Sequence, residues 1–167
     1  MRRPWLAGAV ILGVVACGPG GEAARRRAQG VADPAFAGVQ QRGAVAMGVN
    51  QYTSSHVFTP LEDGGRIELE RDAPDSAGTE RIRAHMLEIA GRFAAGDFRL
   101  PGFVHARAVP GTDVMSAKRA VITYTVESLP RGAAVRVLSS DPAAIQAIHE
   151  FLAFQRADHH ASAHHDS

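Results

Sequence analysis

Between residues 54 and 158 one pattern occurs twice: two short extended runs joined by a turn, then an apolar stripe at helical spacing. Arg66-Ile67-Glu68-Leu69-Glu70 alternates strictly, which puts Ile67 and Leu69 on one face of a strand and leaves the other face wet. It is preceded by His56-Val57-Phe58-Thr59 and the turn signal Asp63-Gly64-Gly65, so the two runs predict a hairpin. Ile82, Met86, Ile89 and Phe93 then recur at helical spacing, with Asp75 or Ser76 as cap and Gly96 as stop. The second round runs Val121 to Glu127, a turn at Pro130-Arg131-Gly132, and a return over Ala134 to Leu138. Asp141-Pro142 opens its helix, which carries Ile145, Ile148 and Leu152 inward and ends near Asp158. Two hairpins and two helices predict an α+β fold, a ββαββα two-layer sandwich with one four-stranded antiparallel sheet and both helices on one face. The halves share order without shared sequence, so no repeat is implied.

The chain begins differently. A basic lead, Met1-Arg2-Arg3-Pro4-Trp5, is followed by an unbroken apolar and small run from Leu6 to Ala16. Eleven residues reach about 16 Å as a helix, too short for a bilayer core of about 30 Å, so the run reads as a secretory signal. It ends in Val14-Val15-Ala16-Cys17, and Cys17 is the only cysteine. This tetrapeptide resembles the lipobox of bacterial lipoproteins, with Val14 where leucine is commoner. The resemblance covers residues 1–17. It implies removal of residues 1–16 as a signal peptide, fatty acylation (palmitate-like chains) of Cys17, and a protein held by lipid at a membrane of the cell envelope, facing the periplasm or the exterior. Loss of Arg2 and Arg3 leaves 16 basic residues against 17 acidic ones, a formal charge of −1, so lipid rather than a basic patch would hold the mature chain to a membrane. Near-neutral charge and 6% aromatic residues also give no support to nucleic acid as a partner. With no second thiol, stability must come from the core or from a bound ligand.

Residues 17–53 read as the lipidated cysteine and a flexible tether. Gly18-Pro19-Gly20-Gly21 cannot be regular structure, Arg25-Arg26-Arg27 is a short basic run, and no amphipathic period is evident. Residues 54–158 are then one domain, and residues 159–167 a His-rich disordered tail.

Histidine carries what chemistry the sequence offers. The predicted domain holds His56, His85, His105 and His149, and the tail holds His159, His160, His164 and His165. Neutral imidazole is a common metal ligand. If the two helices pack side by side, His85 and His149 approach each other, and His105, with Met86 or Met115, completes a site; His56 is a further candidate. Imidazole with thioether favours copper, above all the cuprous ion, while imidazole alone suits zinc, nickel or cupric copper. In the tail, paired histidines with Asp158 and Asp166 could gather an ion with little constraint. No compact zinc signature, no G-x-S-x-G, no P-loop and no G-x-G-x-x-G at a strand–helix junction is present, so no enzyme is indicated. The alternative to a metal binder is a small module that docks on another envelope protein.

Overall fold

The structure is a computed structural model, and it describes residues 33–161. The elements run α1 (Pro34–Met47), a 3-10 turn (Gln51–Thr53), β1 (Ser54–Leu61), β2 (Gly64–Arg71), α2 (Ser76–Ala94), α3 (Arg99–His105), α4 (Thr112–Ala117), a 3-10 turn (Arg119–Val121), β3 (Ile122–Leu129), β4 (Gly132–Ser139) and α5 (Pro142–Asp158). The four strands form one antiparallel sheet in the order β1-β2-β4-β3, so the two hairpins meet through β2 and β4. This is the α+β arrangement the sequence predicts, with three further helices added to the two expected.

Strand alternation decides which face is covered. Phe58, Ile67 and Val135 stand in register across three strands, Leu69 pairs with Ala133, and all five are buried. They meet α2 through Ile82, Met86, Ile89 and Phe93, and α5 through Ala144, Ala147, Ile148, Phe151 and Leu152. Ile145, read as an inward residue, is only partly buried. The opposite face is polar: Arg66 bridges Glu68 and Glu127, and Arg136 pairs with Asp63. Leu138 on this face is an exposed large apolar residue.

Three helices start by the same device. Asp33 accepts from the amides of Ala35 and Phe36, Asp75 from Gly78, and Asp141 from Ala144, each satisfying donors that the first helical turn leaves unpaired. Lys118 beside Asp141 holds that carboxyl below its usual range, helped by the Ala144 amide. Proline follows the cap in α1 and in α5, where its fixed φ suits the first helical position.

The boundary at residue 54 is corrected by α1. Residues 34–53 are not tether: Phe36, Val39, Gln40, Gly43 and Met47 are buried, and the helix ends at Gly48 in the left-handed region with φ 68°. Its buried face contains a glycine and a glutamine, which breaks up the apolar period without breaking the packing. Residues 1–32, including the leader, Cys17 and the arginine run, lie outside the described residues, as do His164 and His165. Among the described residues no helix is long and apolar enough to cross a membrane.

Candidate functional site: a histidine-lined cavity

The β1–β2 hairpin and the pair α2–α5 enclose a gap that α1 and α3 roof. The result is a cavity of about 80 Å³. Four histidines from four elements line it: His56 from β1, His85 from α2, His105 from α3 and His159 just after α5. Met47 of α1 and Met86 of α2 contribute thioethers, Gln51 and Gln155 carboxamides, and the rest of the wall is largely aliphatic and aromatic.

His159 is the centre of this group. It stands at the C-cap of α5, and the chain turns there: the Ala161 amide reaches the Arg156 carbonyl, the His160 amide reaches that of Ala157, and His160 takes a left-handed φ of 49°. This is a Schellman closure in which histidine occupies the position glycine usually fills. It drives the His159 ring inward, where it is 8% exposed, and lays the exposed His160 ring flat on Phe36 of α1 at 4.1 Å between centroids. The His159 ring lies 4.8 Å from His56 and 5.0 Å from His105. Its Nδ1 is buried without a hydrogen-bond partner, and so is Nδ1 of His85. Such orphaned atoms cost about 1–3 kcal/mol each. Burial also acts on their charge. It lowers the His85 imidazole to about 4, against a smaller opposing pull from Glu88. Burial lowers His159 well below the usual histidine range, with His56, His105 and His160 adding to it. Both rings are neutral at pH 7, the state in which imidazole has a free lone pair.

His105 is differently placed. Its ring is held by the Asp158 carboxylate at Nδ1 and by Gln155 Oε1 at 2.9 Å from Nε2, with Phe154 against its edge. Asp158 also pairs with Arg107. A histidine oriented by a carboxylate is one ingredient of general-base catalysis, but the described residues lining this cavity include no Ser, Thr, Cys, Lys, Asp or Glu.

The sequence-predicted set is therefore redrawn. His85, His105 and Met86 do share one cavity, and His56 joins them. His149 does not: its Nε2 lies 2.9 Å from the Leu61 carbonyl, and it does not line the cavity, because it is one residue past the buried Ile148 on the α5 surface. Met115 is buried in the core elsewhere. His159 and His160, read as part of a disordered tail, are fixed to the fold. His159 was readable from the sequence, since Ile148, Leu152, Gln155 and His159 continue one helical stripe. Gln155 lies on that same stripe, whereas Gln51 and Met47 carry no such signal. Among the described residues, no group of three or more His, Cys, Asp or Glu side chains is placed to hold a metal ion.

No family model, curated protein or solved structure matches this chain.

Proposed function

We propose that this is an envelope lipoprotein, attached through lipid on Cys17, whose folded domain takes up a transition-metal ion in the histidine-lined cavity. One observation carries the metal reading: imidazoles from four separate elements converge on one small space, and two of them keep a buried ring nitrogen with no partner. Two imidazoles bound tetrahedrally to one ion at about 2 Å have centroids roughly 5 Å apart, and His159 stands at that separation from His56 and from His105. Since His105 is engaged at both nitrogens, the donors available without breaking a hydrogen bond are few. A bound ion would satisfy the orphaned atoms, and it would stabilise the fold by mass action.

The anchor and the ion are tested separately. Mass spectrometry of the native protein should find residues 1–16 removed and acyl chains on Cys17; an intact leader or a bare thiol rules the anchor out. For the ion, the purified protein is titrated with cuprous copper, zinc and nickel, beside a chain carrying His164→Ala and His165→Ala. The altered chain is expected to retain one tight site. Binding that vanishes with those two tail histidines, or no binding by either chain, rules out the cavity as a metal site.

A further inference from the structure

The sheet ends in two edge strands, β1 and β3, and they are finished differently. Along an antiparallel ladder, backbone groups point alternately toward the neighbouring strand and away from it. The two-residue turns close on Leu61 with Gly64 and on Leu129 with Gly132, so the even-numbered residues of β1 and of β3 turn their backbone groups outward. On β1 that outer row is protected. Pro60 has no N–H to offer, and the Phe58 carbonyl accepts from Arg156 of α5 at 2.9 Å. On β3 the outer row is Ile122, Tyr124, Val126 and Ser128. The Ile122 N–H turns back to the Arg119 carbonyl, but among the described residues nothing bonds to the outward groups of Tyr124, Val126 and Ser128. The strand is eight residues long, has no proline, lysine or bulge, and carries Glu127 as its one charge. Natural edges of this length are blunted by such devices against pairing with another chain. Exposed apolar side chains flank this one. Val121 stands just before the strand, 49% exposed, and Leu87 is 62% exposed one turn along α2 from Arg83, which donates to the Leu129 carbonyl.

We infer that β3 pairs antiparallel with β3 of a second copy of this chain, with Thr125 opposite itself, so that two sheets continue into one. The register follows from the outward groups and from charge. Even residues must face even residues, which excludes every register centred between two residues. Of those centred on a residue, the registers on Thr125 and on Val126 overlap the strand most fully. Centred on Val126, the Glu127 side chains of the two copies would be diagonal neighbours, about 7–8 Å apart. Centred on Thr125, each Glu127 faces a Thr123 and the two carboxylates stand about 13 Å apart along the strand. The same register sets Tyr124 against Val126 on both sides of the two-fold axis, and Thr125 against Thr125. Aromatic with β-branched and threonine with threonine are both favourable cross-strand pairs. Tyr124 and Val126 then exchange the backbone bonds that each lacks, and the Ser128 N–H reaches the Ile122 carbonyl. The pairing leaves the histidine-lined cavity, walled by β1 and β2, untouched.

Sedimentation equilibrium of the purified full chain should show a reversible dimer. Thr125 is exposed on the open face, so Thr125→Lys sets like charges opposite each other and should weaken the dimer about tenfold or more, with the fold intact by circular dichroism. A cross-link reads the register. Thr125 turns its backbone groups toward β4, and opposed residues of that kind have Cα atoms about 4.5 Å apart, within reach of a disulfide. With Cys17→Ser as background, Thr125→Cys should give a covalent dimer on mild oxidation, and Thr123→Cys, which faces Glu127, should not. A chain that stays monomeric up to about 1 mM, leaving the edge to some other protein, overturns the inference. So does a dimer that tolerates Thr125→Lys, or cross-linking no better at position 125 than at 123.

Discussion

Lowering the pH from 7 to 4 should cost the metal-free domain on the order of 2–3 kcal/mol through His85 alone. Unfolded, this histidine takes its proton near pH 6.5; folded, burial delays protonation to about pH 4. Above the higher value neither state holds the proton and stability is level. Between the two, the unfolded chain binds a proton that the folded chain refuses, so stability falls as pH falls, by up to about 1.4 kcal/mol per unit. Below about 4 both states are charged and the loss stops growing. His159, lowered by burial and by three neighbouring histidines, adds a loss of the same sign that extends to lower pH. The carboxylates act later. Arg99 holds Asp97, and Lys118 holds Asp141, below the ordinary carboxylate range, so their contribution is present above about pH 4 and is lost below it. Urea unfolding at half-unit steps from pH 7 to 4.5 measures the slope. In His85→Leu the slope should drop by close to one proton; an unchanged profile in that variant sinks the assignment. Saturating metal should flatten the same profile, because ions and protons compete for neutral imidazole.

Gly132→Ala should lower stability by about 3 kcal/mol or more, or prevent folding. Gly132 pairs with Glu70 and Leu129 at the start of β4, where the two hairpins join. A Cβ there would fall 1.9 Å from the Leu69 carbonyl oxygen and 2.9 Å from its carbon. These are backbone atoms of a neighbouring strand with the core on one side, so there is no side chain to swing away. Relief requires parting β2 from β4, and with them the pairing between the two hairpins. Gly91 provides the contrast. It lies in α2 and a Cβ would meet nothing within 4 Å, so Gly91→Ala should gain about 0.5–1 kcal/mol from helix propensity. Thermal or urea melts of the two alanine variants should move in opposite directions. A Gly132→Ala protein as stable as the parent would mean that the β2–β4 approach is looser than described.

The fold was legible where local signals and packing agree. Strict alternation at Arg66–Glu70, the stripe through Ile82 and Phe93, and the Asp141-Pro142 start all appear as the elements they predict. Asp33-Pro34 is the same helix start, yet the residues after it conceal the helix. Gly43 and Gln40 occupy the buried face, so composition looks like linker while the contacts are those of a core helix. Part of the site was legible too. His85, Met86 and His105 were singled out by residue type, and the cavity includes them. Met47 and Gln51 were not legible, because they owe their places to α1 folding over the gap, a tertiary fact. His149 illustrates the limit of helix-margin arguments. A shift of 100° around α5 separates a ring beside the Leu61 carbonyl from one in the cavity.

The position of α1 has a mechanical consequence. It packs mainly on α3 and the first 3-10 turn, and less on α2, while the sheet is held by α2 and α5. It is also the first described element of the chain, so a pull transmitted through residue 32 is applied at the Asp33 end of this helix. Such a load would peel the helix sideways from its neighbours one turn at a time, a geometry that demands little force, while the paired strands behind it carry almost none. Mechanical work done on the N-terminal side would therefore be spent on uncovering Met47 and His159, and the remainder of the domain would survive to close again.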